Sequence, residues 1–442
     1  MDGDLLAHGL GGAKDLPISP QLAIAGAVAA LVVSFTVLAV AWRTPRFHAA
    51  TSGRPAPGWL SRIVDSPWFG RGLRALGLLL AGYAGLAAVF GQDLVINPFF
   101  GMFYVLLWVG LVPLSLVFGP VVKALSPWRT ITEALAKLTG GDPERGLYDY
   151  PARLGSWPAA LGLYAFVWLE LVNPHATELG TARLWVAIYV ALMLVGGVLF
   201  GTRFHAHADP FEVYSTLIAH LSVWGRRDGA LVLRSPLANL DTVPARPGLV
   251  AVVAVLFGST GFDSFRESPP WLSYVQASSL DPTLLNNLAL LTFCVGVGAV
   301  FTAATLLSTG SPAEGHQRSD LPSLFAHSMV PIIVGYIVAH YLSYLLEYGQ
   351  ATLIQMSDPL SRGQDLLGTA DWTVNYWLSF RPTLLANIKV TAVVLGHILG
   401  VVAAHDRAIR LLPLRHQLTG QLPLLFAMVG FTAGGLYLLF AA

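Results

Sequence analysis

Residues 325–350 read FAHSMVPIIVGYIVAHYLSYLLEYGQ. Only Glu347 in this run carries a full charge at neutral pH; the rest is mainly Ile, Val, Leu, Tyr and Ala. A stretch this long and apolar is what a helix needs to cross ~30 Å of hydrocarbon at ~1.5 Å per residue. Yet it carries His340 and Glu347, seven residues apart, which the helical pitch brings to nearly the same face. Tyr336 and Tyr344 flank His340 on that side. The segment reads as a membrane span with a polar stripe.

The remainder of the chain agrees. It has 442 residues, 55% hydrophobic and 12% charged, with a mean hydropathy of +0.62. A soluble domain carries roughly 25% charged residues, so the composition is that of an integral membrane protein. The formal charge of +1 gives no ground for a nucleic-acid partner, and the partner implied is the lipid bilayer. The single cysteine, Cys294 in NLALLTFCVGVGAVF, excludes a disulfide framework or a cysteine-based metal cluster and reads as a small buried apolar residue. The start, MDGDLLAHGLGGAKDLPISP, lacks the basic head and apolar centre of a signal peptide.

Apolar stretches of spanning length give about ten candidates: 21–42, 72–91, 98–119, 157–172, 182–201, 247–262, 284–308, 325–347, 385–404 and 420–441. They are too continuous for barrel strands, so the expected fold is all-α, a polytopic helix bundle forming one integral membrane domain over 1–442. Lys and Arg collect in alternate connections, including Arg43 to Arg74, Lys123 to Arg153, Arg203 to Arg246 and Arg407 to Arg415. By the positive-inside rule those connections are cytoplasmic and both termini face outward.

Part of the chain looks duplicated. LVFGPVVKALSPWRTITEALAKL at 116–138 and VLFGTRFHAHADPFEVYSTLIAHL at 198–221 share Phe-Gly, a short basic stretch, Ser/Asp-Pro-aromatic and a following run. Ser126 and Asp209 suit the N-cap, with Pro127 and Pro210 at the first helical position. Both runs are expected to lie along the cytoplasmic interface as amphipathic helices. Each is followed by Pro-Ala-Arg, at Pro151 and Pro244, and 19 residues after that proline comes an acid within an apolar segment, Glu170 and Asp263. The units, 98–173 and 182–265, run in the same direction, which makes this a parallel repeat of the kind transporters use.

A charge inside hydrocarbon is costly enough that an intramembrane acid marks function by default. The orientation places Glu170 and Asp263 towards the outer side, as it does Glu347. The ninth span adds Lys389 near its outer end and His397 deeper. These groups can converge in an outward-facing pocket, with His340, His397 and Glu347 as ligands for a divalent metal such as zinc. Glu170 and Asp263 then serve the acidified metal-bound water, and Tyr336 or Lys389 a developing oxyanion. Asp263 and Glu347 equally suit the membrane–water interface, and each histidine a bond to a neighbouring helix. His205, His207 and His220 read as interfacial and solvated, and His405 as a C-terminal cap. The long outer loop, 348–384, reads as a lid over the pocket or as an interfacial segment anchored by Trp372 and Trp377. No Walker motif, nucleophile elbow, His-Glu-x-x-His or dinucleotide fingerprint occurs in a meaningful context.

Several stretches carry a family resemblance: AHGLGGAKDLPI, SPWRTI, RLGSWPAALGLYAFVWLELV, STGFDSF, the 325–350 run, SDPLSRGQDLLGTA and GHILGVVAAHDRA. In these the chain resembles a bacterial, mainly actinobacterial, family of multispan membrane proteins labelled fenitrothion hydrolase, over nearly its whole length. The resemblance implies a bacterial plasma-membrane location and hydrolysis of an apolar phosphotriester, and carries no assigned catalytic residues. Three functions are therefore expected to compete: a membrane-embedded metal-dependent hydrolase taking an apolar small molecule, a transporter or metal/proton pathway built on the same groups, and a non-catalytic subunit of a membrane complex. A hydrolase needs the groups open to one side. A transporter needs the polar path to continue towards His327 and His405. A packing role needs each group satisfied by its neighbour.

Overall fold

The computed structural model describes residues 18–308, 312–313 and 315–441, so the AHGLGGAKDLP stretch at 7–17 lies outside it. Helices account for most of it, and many begin on the same device. Ser19, Ser66, Ser126, Asp209 and Asp281 each turn a side-chain oxygen onto the first free N–H groups of a helix whose first residue is proline. The cap satisfies a donor that has no partner within the helix, and the proline has none to lose.

In chain order the helices are α1 (Pro20–Ala41), α2 (Gly58–Val64), α3 (Pro67–Phe90), α4 (Pro98–Leu107), α5 (Leu111–Phe118), α6 (Val121–Leu125), α7 (Pro127–Thr139), α8 (Trp157–Leu171), α9 (Leu179–Phe200) and α10 (Thr202–Ala208). There follow α11 (Pro210–Ala219), α12 (Pro236–Leu240), α13 (Leu249–Arg266), α14 (Pro269–Ala277), α15 (Pro282–Leu306), α16 (Leu321–Phe325), α17 (Met329–Gln355), α18 (Pro382–Leu411) and α19 (Leu422–Ala441). One small sheet was not foreseen: β1 (Arg54–Pro55), β2 (Trp224–Arg227) and β3 (Ala230–Leu233), antiparallel in the order β1-β3-β2. Asp228 and Gly229 between β2 and β3 both take positive φ, the conformation that Asp-Gly hairpin turns favour.

Among the described residues eight helical segments are long and apolar enough to cross a membrane. A ninth is the pair α4–α5, bent by 48°. Most of α4, Gly101–Leu107, is wound as a π-helix, and Gly110 N donates to Val105 O across five residues, so the break follows a wide turn. The expected span at 157–172 is the short helix α8, 15 residues or ~22 Å, less than a bilayer core requires. Helices α1, α3 and α9 turn large apolar side chains such as Val40, Leu79, Phe90 and Leu184 outward. By contrast α13 and most of α17 are buried.

The chain divides into two compact units: one holds the segment up to Ser52, Leu237–Tyr344 and Tyr376 to the end; the other holds Gly53–Pro236 and Leu345–Asn375. This division cuts across the duplicated segments, since α8 falls in the second unit and α13 in the first. In the first unit α13 packs on α15, and α18 on α1 and α19. A Cβ on Gly258 would lie 2.7 Å from the Cys294 Cα, and one on Gly335 would lie 2.3 Å from the Ala392 carbonyl oxygen. Glycine at these two positions lets α13 approach α15, and α17 approach α18, backbone to backbone. In the second unit α11 is packed against α5, α6, α8 and α10, inside a ring cluster that includes Trp108, Phe166, Trp185 and Tyr189.

Candidate functional site

A connected polar cluster of the first unit forms where the C-terminal end of α13 meets the middle of α17. Asp263 is completely buried. Its Oδ2 accepts from His340 Nε2 at 3.0 Å and from the Tyr341 hydroxyl at 2.6 Å. Its Oδ1 accepts from Arg266 Nε at 2.9 Å, one turn further along α13. With Nε2–H given to the carboxylate, Nδ1 of His340 is left as an acceptor, and the Ser264 hydroxyl, 3.1 Å away, donates to it. The Tyr336 hydroxyl lies 3.3 Å from both Ser264 Oγ and the Gly435 carbonyl. Arg266 in the last turn of α13 also favours the helix dipole. The ordered chain Tyr336–Ser264–His340–Asp263–Arg266 thus ends on a partly buried cation paired with a sealed carboxylate.

The structure brings together Asp263, His340 and Tyr336, three of the residues singled out in the sequence. The others fall elsewhere. Lys389 and His397 lie buried on α18. His397 turns Nδ1 to the Val393 carbonyl of its own helix at 2.8 Å, and its Nε2 has no hydrogen-bond partner. Glu170, in the last turn of α8, and Glu347 both belong to the second unit; the Glu170 charge acts on Tyr214. The expected metal set is not assembled. Among the described residues no group of three or more His, Cys, Asp or Glu side chains is placed to hold a metal ion. One physical reason is visible at His340, whose two ring nitrogens are already engaged by Asp263 and Ser264. The α17 helix does continue through ATLIQ to Gln355.

A second cluster of this unit was read only as a cap. Helix α18 runs on to Leu411, so His405, Asp406 and Arg407 are not terminal. His405 is buried, with Nδ1 3.0 Å from Gln421 Oε1 and Nε2 3.0 Å from the Trp42 carbonyl. Asp406 accepts from the Trp42 indole at 3.1 Å and from Arg46 N at 2.7 Å, which ties down the chain after α1. Arg407 holds Asp241 at 2.9 Å, and Arg410 holds it as well. Burial raises the Asp241 pKa, but the bonds and charges of Arg410 and Arg407 outweigh it and set the carboxyl below its ordinary value. Arg407 also donates to the Leu324 carbonyl, 3.0 Å from which lies Nδ1 of the buried His327. Asp241, Leu324, Arg407 and Arg410, with His316, line a cavity of about 390 Å³.

The third cluster surrounds α11 in the second unit and corrects the expectation of two interfacial amphipathic helices. Helix α7 fits that description, with Thr132 its one buried residue. Helix α11 does not: Pro210 to Ser215 and Leu217 to Ala219 are all buried. Glu212 accepts from Arg129 Nε at 3.1 Å and from a second guanidinium nitrogen. Asp209 accepts from the Tyr189 hydroxyl at 3.0 Å. Ser115 and Ser215 share a hydrogen bond of 2.9 Å. His205, expected in solvent, is sealed, with Nε2 3.0 Å from the Thr132 hydroxyl. Burial first, and then the Arg129 charge, lower its pKa to about 3, so it stays neutral. No local pattern shows this burial, because the polar partners come from α5, α7 and α9.

The loop from α17 to α18 carries no regular element between Gln355 and Pro382. It folds on its own acids: Asp358 accepts from Arg362 N and Gly363 N, and Asp365 from Ser357 Oγ and Thr369 N. Trp372 is largely exposed, and Trp377 lies under the Arg381 guanidinium. Comparison with family models, with curated proteins and with solved structures finds no match.

Proposed function

We propose that this chain is a proton-handling membrane transporter whose exchange site is the Asp263–His340 pair. The observation that supports it is a carboxylate and an imidazole from two different helices, 3.0 Å apart and sealed from water within segments of spanning length. An acid and a histidine in direct contact form a proton donor–acceptor couple, and intramembrane groups of this kind mark proton paths. Tyr341, Ser264 and Tyr336 extend the couple through hydroxyls, which both donate and accept. The first unit also buries His397 and His405 on α18, and His327 beside the Arg407–Asp241 cluster. In the orientation implied by the Lys and Arg distribution, Asp263 faces the outer side of a bacterial plasma membrane and the Arg407 cluster the inner side.

Reconstitution into vesicles with an internal pH-sensitive dye tests this. The wild type should dissipate an imposed pH gradient, and Asp263→Asn and His340→Gln, checked for helical content by circular dichroism, should lose at least ten-fold of that rate. Wild-type flux no greater than that of empty vesicles would refute the reading.

One observation favours a second reading. Ser264, His340 and Asp263 stand in the order hydroxyl, imidazole, carboxylate, at 3.1 Å and 3.0 Å, the arrangement that activates a serine for acyl or phosphoryl attack. This agrees with the hydrolase that the family resemblance implies, by a serine instead of a metal. Ser264 is itself completely buried, so such an enzyme must open before it acts. Turnover of an apolar phosphotriester that Ser264→Ala abolishes would favour this reading; labelling of Ser264 by a fluorophosphonate would add to it.

A further inference from the structure

Asp209 is sealed at the N-cap of α11, only 1% exposed. All its hydrogen bonds fall on one oxygen: Oδ1 accepts from Phe211 N at 3.0 Å, Glu212 N at 3.3 Å and the Tyr189 hydroxyl at 3.0 Å. Oδ2 is buried with no partner among the described residues. Nor does a cation among them answer the charge. Arg129 on α7 gives its guanidinium to Glu212 and to the Thr202 carbonyl. His205 on α10 is neutral, Arg203 there is exposed and His207 stacks on Tyr150. Lys123 on α6 is exposed, Glu170 on α8 acts on Tyr214, and α5 offers the Ser115 hydroxyl to Ser215. Glu212, three residues on, adds a like charge. Two acids are thus buried beside one arginine, and Glu212 has taken it.

We infer that Asp209 is a proton-binding site, whose carboxylate takes up one proton on Oδ2 and releases it again. The only bond made or broken is that O–H bond, and the proton comes from and returns to water. A neutral carboxyl with one unsatisfied atom is far cheaper to bury than a carboxylate with neither a cation nor a partner for that atom. Burial, and then the Glu212 charge, raise the pKa of this group to about 7, against the bonds from Glu212 N, Tyr189 and Phe211 N that lower it. The site belongs to the second unit and stands whether or not Asp263 and His340 exchange protons.

Infrared difference spectroscopy of the full-length protein, titrated from about pH 5 to about pH 9, reads the carboxyl group directly. Asp209→Asn is the control, since asparagine caps a helix as well as aspartate and resembles the protonated form. The wild type should show the C=O band of a buried carboxylic acid at the acid end, lost with a midpoint near 7 and missing from Asp209→Asn. Tyr189→Phe, which removes a donor to the ionised form, should move the midpoint up. No Asp209-dependent band across the range, or a midpoint below about 5, overturns the inference. If Asp209→Asn does not fold, an unmoved wild-type band in Tyr189→Phe does the same.

Discussion

Asp263 and Asp209 are both closed off from water, and their surroundings are opposites. Asp263 has donors on both oxygens, and one of them is the cation Arg266. Asp209 has three donors crowded onto one oxygen, none on the other, and an acid as its neighbour. Burial alone therefore does not separate the two. What differs is whether the desolvated carboxylate is met by a cation and by a donor for each oxygen. Asp263 has both, from Arg266, His340 and Tyr341. Asp209 has neither a cation nor a donor for Oδ2 among the described residues.

The largest test of that contrast removes the first carboxylate. Asp263→Ala leaves Arg266, His340 and Tyr341 facing a gap, and breaking a buried pair by deleting one member costs about 3–5 kcal/mol. Thermal or denaturant unfolding in detergent should show a loss of that size. A loss below about 1 kcal/mol, the size of an exposed pair, would mean that water reaches Asp263 and that the contrast with Asp209 is false.

Much of this was legible before the structure, and the reason is that it rested on local pattern. The spans follow from run length, and Asp263, His340 and Tyr336 stood out because each is a polar group in an apolar helix. That Asp263 and His340 bond directly was not legible: the sequence allowed a wider pocket and equally an interfacial Asp263, and the rotation of α13 against α17 decides it. Nor was the α11 cluster. The run PFEVYSTLIAH mixes polar and apolar residues and reads as an amphipathic surface helix. Its Glu212, Asp209 and Ser215 are buried only because Arg129, Tyr189 and Ser115 reach them from helices distant in sequence. The metal set does not form among the described residues: both ring nitrogens of His340 are taken by Asp263 and Ser264, partners that the spacing along α17 alone does not show.

The second test is the response to pH. Asp209 has its folded pKa at about 7, above its ordinary 3.8. Its contribution is therefore fully present below about pH 4 and is lost as the pH rises through 7, on the order of 4 kcal/mol over the range. Asp209→Asn should be flat over that interval where the wild type declines. Asp241 runs the other way. Its folded pKa is lowered by Arg410 and Arg407, so its contribution is present above its ordinary value and fades as the solution is acidified. Asp241→Asn should cost about 1–3 kcal/mol at neutral pH and less in acid. If both variants shift in the same direction on acidification, the distinction between a cation-matched and an unmatched carboxylate fails.

The smallest effect separates the cap from the charge. Ser126 and Asp209 hold equivalent places, each at the N-cap of a helix that opens with proline and each accepting from backbone N–H groups of the first turn. Ser126→Ala removes that bond from α7, whose surroundings are exposed, and should cost about 1 kcal/mol at every pH. Asp209→Asn keeps the cap and removes only the ionisation, so at neutral pH it should cost nothing and can stabilise the fold. A pH-dependent cost for Ser126→Ala would show that the α7 cap is coupled to the Asp209 proton. Equal costs for the two variants would show instead that Asp209 serves α11 as a cap alone, with its carboxylate ionised throughout.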